Sequence, residues 1–295
     1  MKIGILTFHW GTNYGAIIQA YALQTYLEKN GHEVYIINYR PKRFKKSLIN
    51  CFRTPRVYLY LSNIAALLKE KKLINFRDLY LNQTRLYESL NELKKTPPDL
   101  DVYVCGSDQI WNPSFTSGGE GRPTSTYFLD FGDKNIKRVA YAVSFGCVHY
   151  PERAFNIAKN HVRSFDAISV REDSGLNIVS KLGFRSPIKL PDPTLLLKAS
   201  DYVFPVDNII NNDNSKVAFF YILRNEQSRV KSLELYLQSS YKLISADEKF
   251  KPLSLEEWIQ GIKNASIVIT NSFHGMCFSL IFHIPFIVIP AIGKA

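Results

Sequence analysis

Short apolar runs alternate with amphipathic stretches along almost the whole chain, and this alternation constrains the fold more than any other feature of the sequence. Such a rhythm belongs to strand-helix-strand units, which build a parallel sheet covered by helices. In the first unit Lys2 to Leu6 reads as a strand, Thr7 to Tyr14 as a loop, and Gly15 to Asn30 as a helix. Ile17, Ala20, Leu23 and Leu27 give that helix one apolar face, Gly31 ends it, and Val34 to Ile37 opens the next strand. Later strands are expected at Asp101 to Cys105, Val139 to Val143, Ala167 to Val170, Val217 to Leu223, Lys242 to Ser245, Ser266 to Ile269 and Phe286 to Ile289. Helices are expected over Pro151 to Phe165, Asp173 to Leu182, Gln227 to Ser239, Leu255 to Asn264 and Phe273 to His283.

The fold class is therefore α/β. Pro191 to Asn214, rich in Pro, Asn and Asp, breaks the alternation and marks a domain boundary. Residues 1–195 form the expected N-terminal Rossmann-like domain, and residues 196–295 a smaller C-terminal one that stops directly after a strand and is expected to be abbreviated. With 295 residues, 46% of them hydrophobic, the chain can bury one large core or two modest ones. Its longest apolar run, Ser279 to Ile292, is broken by His283, Pro285 and Pro290 and falls short of the roughly 20 residues of a spanning helix. The N-terminus enters a strand at once, without the pattern of a secretory signal, so a cytoplasmic protein is expected. Cys51, Cys105, Cys147 and Cys277 form no C-x-x-C pair, which points to reduced thiols rather than a zinc site or a disulfide framework.

Lys and Arg number 37 against 26 Asp and Glu, a net charge of +11. Between residues 40 and 77, Arg40, Lys42, Arg43, Lys45, Lys46, Arg53, Arg56, Lys69, Lys71, Lys72 and Arg77 face a single acid, Glu70, so nearly all of the excess lies there. Phe44, Phe52, Tyr58, Tyr60 and the apolar band from Ile64 to Leu68 share this stretch. Three readings fit it: contact with anionic lipid headgroups at the inner face of the cell membrane, docking of a phosphate-bearing acceptor, or a solvated basic face. Nucleic acid is not an expected partner, since no helix-turn-helix, RNA-recognition or zinc motif accompanies the charge.

Ligands of open parallel sheets bind beyond the carboxyl ends of the strands, and five polar clusters fall at such ends. His9-Trp10-Gly11-Thr12-Asn13-Tyr14-Gly15 follows the first strand and suits an anion at a helix start, or a turn in which Asn13 caps the helix. In Cys105-Gly106-Ser107-Asp108-Gln109-Ile110-Trp111-Asn112-Pro113, Gly106 allows close backbone approach, Ser107 offers a hydroxyl, and Asp108 suits either a base toward a sugar hydroxyl or a helix cap, with Trp111 as a core anchor. Ser144-Phe145-Gly146 and Ser169-Val170-Arg171-Glu172-Asp173 are the third and fourth. Arg171 suits a bidentate clamp on a carboxylate or phosphate, or an ion pair with Glu172 or Asp173. The fifth is Thr270-Asn271-Ser272-Phe273-His274-Gly275, where His274 falls in the first turn of a helix with Asn271 and Ser272 beside it. Beside an anionic ligand such a histidine can donate a proton near neutral pH; otherwise it is a capping or core residue. His149, His161 and His283 read as structural. No triad order, H-E-x-x-H or carboxylate-rich metal cluster supports a hydrolase or a metalloprotease.

Asn13-Tyr14-Gly15-Ala16 with Gln19-Ala20-Tyr21-Ala22-Leu23-Gln24, then Gly106 to Asn112, Ser169-Val170-Arg171-Glu172, Asp192-Pro193-Thr194-Leu195-Leu196 and Thr270 to Gly275 together resemble the polysaccharide pyruvyl transferases. The motifs occur in the family's order across nearly the whole chain. The resemblance implies a GT-B-like fold, two Rossmann-like domains facing across a cleft. It implies phosphoenolpyruvate as donor, a sugar of a lipid-linked or nucleotide-linked precursor as acceptor, and a cyclic pyruvate ketal plus phosphate as products. It assigns donor binding and catalysis to Arg171 and His274, and in some relatives to a lysine whose place Lys294 matches. The donor side then comprises Arg171, His274, Ser272, Asn271, Gly275 and Lys294. The acceptor side or anion loop comprises Asn13, Tyr14, Gly15, Gly106, Ser107 and Ser144, with Asp108 as base. No cofactor and no metal are expected. Relatives usually continue past the end of this chain with more sheet and a closing helix. Two alternatives of other classes remain at this stage: a GT-B nucleotide-sugar glycosyltransferase, and a non-catalytic saccharide- or membrane-surface-binding protein.

Overall fold

The computed structural model describes residues 1–41, 57–116, 124–206, 215–223, 227–246 and 252–290. Strands β1 (Lys2–Leu6), β2 (Glu33–Ile36), β3 (Val102–Cys105), β4 (Lys137–Val143), β5 (Ala167–Val170) and β6 (Ile188–Lys189) form one sheet in the order β2-β1-β3-β4-β5-β6. A second sheet, β10-β9-β7-β8, is built from β7 (Val217–Tyr221), β8 (Lys242–Ser245), β9 (Ile267–Thr270) and β10 (Phe286–Val288). Every pairing in both sheets is parallel. Helices cover both faces, and so β3, Val-Tyr-Val-Cys, and β7, Val-Ala-Phe-Phe-Tyr, are buried at every residue.

The α-helices of six residues or more are α1 (Tyr14–Lys29), α2 (Val57–Tyr80), α3 (Leu90–Lys95), α4 (Glu152–Val162), α5 (Asp173–Lys181), α6 (Lys231–Leu237), α7 (Leu255–Lys263) and α8 (Phe273–Ile281). The helix expected over Gln227 to Ser239 begins as a 3-10 turn, Gln227–Val230, and becomes α-helical at Lys231.

Helix α1 departs from the single apolar face that its spacing suggests. Tyr14, Gln19 and Gln24 are buried along with Ile17, Ala20 and Leu23: Tyr14 reaches into the second domain, while Gln19 donates to Thr7 and the Ala16 carbonyl and Gln24 bonds the Tyr80 carbonyl and the Asn82 N–H. A continuous cluster runs from Ile3 and Ile5 of the first sheet through Ile17 and Leu23 to Phe219 and Val268 of the second. Tyr14 stacks on Trp258 of α7 with ring centroids 5.4 Å apart, and its hydroxyl donates to the carbonyl of Leu253 at 2.7 Å. The two domains thus share a core on one side, which leaves their cleft open on the side of the strand ends.

Helix α2 packs on both domains, and four described cations of the basic stretch are spent on contacts within the fold, one of them across the domain boundary. Lys72 pairs with Glu257 of α7 at 2.8 Å, Arg40 with Glu70 at 2.9 Å, and the Lys69 ammonium sits 4.2 Å from the Tyr14 ring centroid. Arg77 is buried. These four cations are therefore not the open basic surface that the charge count suggests. Lys42, Arg43, Lys45, Lys46, Cys51, Arg53 and Arg56 lie outside the described residues. Among the described residues no helix is long and apolar enough to cross a membrane. Cys105 and Cys277 are buried, Cys147 is half-buried, and all three are free thiols.

Candidate active site

The loop after β1 forms the first wall of the site. Asn13 caps α1, its Oδ1 accepting from the backbone N–H of Gly15 at 2.8 Å and of Ala16 at 3.4 Å. Arg77 holds the loop from behind, donating from Nη1 to the carbonyls of His9 at 3.1 Å and Gly11 at 3.2 Å. The buried His9 ring sits alongside, with Nδ1 3.1 Å from the Thr7 carbonyl and Nε2 3.2 Å from Oδ1 of Asn38. Burial pushes the His9 pKa down to about 4 and that of Arg77 down to about 10. So supported, Phe8, Trp10, Gly11 and Asn13 face a cavity of about 550 Å³.

The second wall leaves β3. Asp108 adopts φ 74°, in the left-handed region that aspartate tolerates better than most residues. The Ser144 N–H donates to its carbonyl at 3.0 Å and its own Oδ1 accepts from the Gln109 N–H at 2.8 Å. Asp108, Gln109 and Phe115 line the cavity. Trp111 is a core anchor, fully buried with Nε1 donating to the Tyr127 carbonyl at 2.9 Å.

The third wall belongs to the second domain. Ser272 caps α8 by accepting from the Gly275 N–H at 3.3 Å, and Asn271 is locked to Leu223 by bonds of 2.6 Å and 3.1 Å to its N–H and carbonyl. Leu223, Asn271, Ser272, Phe273 and His274 line the cavity together with Arg171 of the first domain, whose guanidinium lies 4.5 Å over the Phe273 ring.

Arg171 and His274 meet over a carboxylate that the sequence reading did not place in the site. Arg171 pairs with Asp192, not with Glu172 or Asp173: its Nη1 donates to Oδ2 at 2.9 Å. His274 Nε2 lies 3.6 Å from the same oxygen, longer than a hydrogen bond. Ser107 also donates to Oδ2 at 2.9 Å, and Thr194 gives Oδ1 its N–H at 3.1 Å and its hydroxyl at 2.8 Å. Burial alone would raise the Asp192 carboxyl, but His274, Arg171 and the Thr194 N–H hold it well below the usual carboxylate range.

Several expected site residues serve the scaffold instead. Tyr14 is in the shared core with its hydroxyl taken by Leu253. Gly106 packs beside Ile5, Thr7 and Leu23, where a Cβ would be tight against all three. Ser107 is buried against Asp192 and the Ala142 carbonyl. The donors of the Ser144 loop are taken by the chain itself, with Ser144 Oγ at 3.0 Å, Phe145 N–H at 2.8 Å and Gly146 N–H at 3.4 Å all donating to Glu172 Oε1. Gly275 packs against the Thr270 side chain rather than facing the cavity, and Gly15 backs the His274 ring. Lys294 lies outside the described residues. Sequence reasoning missed Asp192, Arg77 and the aromatic lining of Phe8 and Phe115. For Asp192 a signal was present in the D-P-T-L-L run, an acid just past the sixth strand like the other clusters.

Two parallel sheets joined through a shared core, with a cleft at their carboxyl ends lined by residues of both domains, define a GT-B-like α/β protein. The sequence pattern of the polysaccharide pyruvyl transferases matches residues 13–291, so the chain belongs to that family of transferases. No curated protein matches it in sequence. Among solved structures, the S. aureus MnaA–UDP complex superposes with a TM-score of 0.53 at 12% identity, covering 97% of this chain and 78% of that one. The UDP-GlcNAc 2-epimerase of Neisseria meningitidis bound to UDP-GlcNAc gives 0.47 at 12% identity, with 98% and 82% covered. The Streptomyces sp. SF2575 glycosyltransferase SsfS6 with thymidine diphosphate gives 0.44 at 10% identity, with 99% and 82% covered. Only the first superposition bears on this chain, and it bears on the fold alone.

Proposed function

We propose that the protein transfers the enolpyruvyl group of phosphoenolpyruvate onto two hydroxyls of one sugar in a polysaccharide precursor, forming a pyruvate ketal and releasing phosphate. The observation that carries this reading is the convergence of Arg171 and His274, from different domains, on one cavity that also holds Asp108. Phosphoenolpyruvate brings a carboxylate and a phosphate, and the Arg171 guanidinium and the N-terminus of α8 are suited to anions. His274 donates a proton to the methylene carbon, leaving an oxocarbenium-like centre at the neighbouring carbon. A sugar hydroxyl attacks that centre and gives its proton to Asp108. Phosphate then leaves with the C–O bonding pair, and a second hydroxyl of the same sugar closes the ketal, its proton departing with the phosphate. Fixed cations and dipoles stabilise the phosphate in this scheme without a cofactor.

The aromatic wall of Phe8, Trp10 and Phe115 beside Asp108 and Gln109 suits a sugar ring, apolar on its face and polar at its rim. We place the acceptor on a lipid-linked precursor at the inner membrane face, a reading supported by the excess of Lys and Arg in residues 40–77, which suits anionic headgroups. The test is phosphate release from phosphoenolpyruvate with a panel of lipid-linked galactose, mannose and glucosamine acceptors. Acceptor-dependent release is expected in the wild type and is lost in His274→Ala. Arg171→Lys is expected to lower it strongly, since lysine lacks the planar fork. Full turnover by both folded variants would sink the assignment.

A further inference from the structure

The run Asp192-Pro193-Thr194-Leu195-Leu196 is one of those that carry the resemblance to the family, yet the transfer scheme gives its acid no task. We propose that Asp192 is a positioning residue whose carboxylate fixes Arg171 of the first domain and His274 of the second in one orientation at the cavity, and holds the His274 imidazole in the tautomer protonated at Nε2. The reaction these two residues perform rests on the pyruvyl-transfer reading; the way they are held does not.

A carboxylate with no exposed side-chain surface is strongly unfavourable unless every lone pair is met. Here the partners divide by oxygen. Oδ1 is turned into its own 3-10 turn by Thr194, at 3.1 Å from the N–H and 2.8 Å from the hydroxyl, which fixes the rotation of the group. Oδ2 is thereby aimed outward, where it accepts from Ser107 after β3 and Arg171 after β5, each at 2.9 Å, and faces Nε2 of His274 on α8 at 3.6 Å. One oxygen thus ties the two site residues across the domain boundary.

The tautomer follows from the same contact. A ring nitrogen facing a carboxylate oxygen must carry the proton, since a bare nitrogen would set lone pair against lone pair. Nε2 has no hydrogen-bond partner, and the Asp192 oxygen is the acceptor it faces. On the opposite side of the ring, Nδ1 lies against Gly15, between the cavity-lining residues Asn13 and Ala16. It is then the nitrogen that exchanges protons with substrate.

The test joins imidazole ¹⁵N NMR with kinetics. Spectra taken at about pH 9, where an ordinary imidazole is neutral, with His274 assigned by loss of its signals in His274→Gln, are expected to show the Nε2–H tautomer in the wild type. Asp192→Asn places an amide beside Arg171 and His274 and is expected to abolish that preference. For phosphoenolpyruvate it is expected to raise KM about tenfold and lower kcat about tenfold or more. A variant that was merely part-unfolded would lower kcat with KM unchanged. Thr194→Val, which keeps the carboxylate but loses one bond to it, is expected to lower Tm and leave the tautomer as in the wild type.

A wild-type Nδ1–H tautomer overturns the proposal whether or not any variant folds. So does an Asp192→Asn protein with wild-type tautomer, kcat and KM. The Nε2–H tautomer, lost in Asp192→Asn, supports it even if phosphoenolpyruvate is never turned over, an outcome that removes the pyruvyl-transfer reading alone.

Discussion

The imidazole of His274, on the second domain, packs directly against Gly15 of the first, so that a Cβ at position 15 would overlap the ring at Nδ1 and Cγ, with Cε1 only 2.8 Å away. Gly15 is the second residue of α1, where alanine is otherwise a better helix former. Gly15→Ala is therefore expected to keep the fold, with Tm within a few degrees, while pushing the histidine from its place. A displacement of about 1 Å at a reacting group costs on the order of 100-fold in rate. Phosphate release by Gly15→Ala should fall by about that factor with an unchanged circular dichroism spectrum. Wild-type turnover would mean that the ring tolerates displacement or that Nδ1 is not at the chemistry.

His9 makes stability depend on pH. Its folded pKa of about 4 lies below the ordinary 6.5, chiefly through burial. Between these values the unfolded chain takes up a proton that the folded one refuses. Stability is then fully present above about pH 6.5 and is lost as pH falls toward 4, by up to roughly 3 kcal/mol. His161, also lowered by burial, contributes with the same sign. Asp192, held low, adds its own loss only at more acid pH, below the ordinary carboxylate range. Urea denaturation at pH 7.0, 6.0 and 5.0 is expected to show ΔG falling in that order, and His9→Asn is expected to flatten the slope. An unchanged slope in the variant would remove His9 as its source.

The parallel α/β class and most strand positions were legible in the sequence, because strands such as Val217 to Tyr221 are uniform apolar runs and their polar sequels stand out. What the side chains in those sequels bond to was not. Ser107, Ser144 and Arg171 sit at the right strand ends, but their partners, Asp192 and Glu172, are 21 to 85 residues away and no local spacing encodes them. Asp192 itself follows β6, whose two residues Ile188 and Lys189 are both exposed, so no apolar run announced a strand before it. Gln19 and Gln24 are buried by partners within their own domain, Gln19 donating to Thr7 and the Ala16 carbonyl and Gln24 bridging Tyr80 and Asn82, which a helical-face argument about apolar residues does not contain.

Arg77 links α2 to the cavity wall. Its guanidinium is buried and bonds two carbonyls of the loop that presents Trp10 and Gly11. Arg77→Met keeps the apolar stem and removes the donors, leaving both carbonyls without that partner, at a cost of about 1–3 kcal/mol each if no water replaces it. The expected result is a Tm lower by several degrees, together with a raised KM for the sugar acceptor and a KM for phosphoenolpyruvate that changes little. Equal effects on both KM values would show that the loop does not belong to the acceptor side.

Glu172 occupies an anion nest of its own fold. Its Oε1 accepts from Ser144 Oγ and from the N–H groups of Phe145 and Gly146, and Gly146 has φ 59°, a turn conformation that aims successive N–H groups at one point. Truncation in Glu172→Ala leaves three donors facing an empty place beside Arg171. Loss of hydrogen bonds to a charged acceptor is expected to destabilise the protein by about 1.5–3 kcal/mol. Inorganic phosphate should restore part of that loss in the variant by filling the nest and should do so less in the wild type, where the nest is occupied. Thermal unfolding of both proteins across a phosphate titration reads the difference directly. Equal phosphate stabilisation of the two would show that the ion binds elsewhere, and an unchanged Tm in Glu172→Ala would show that the nest is satisfied without the carboxylate.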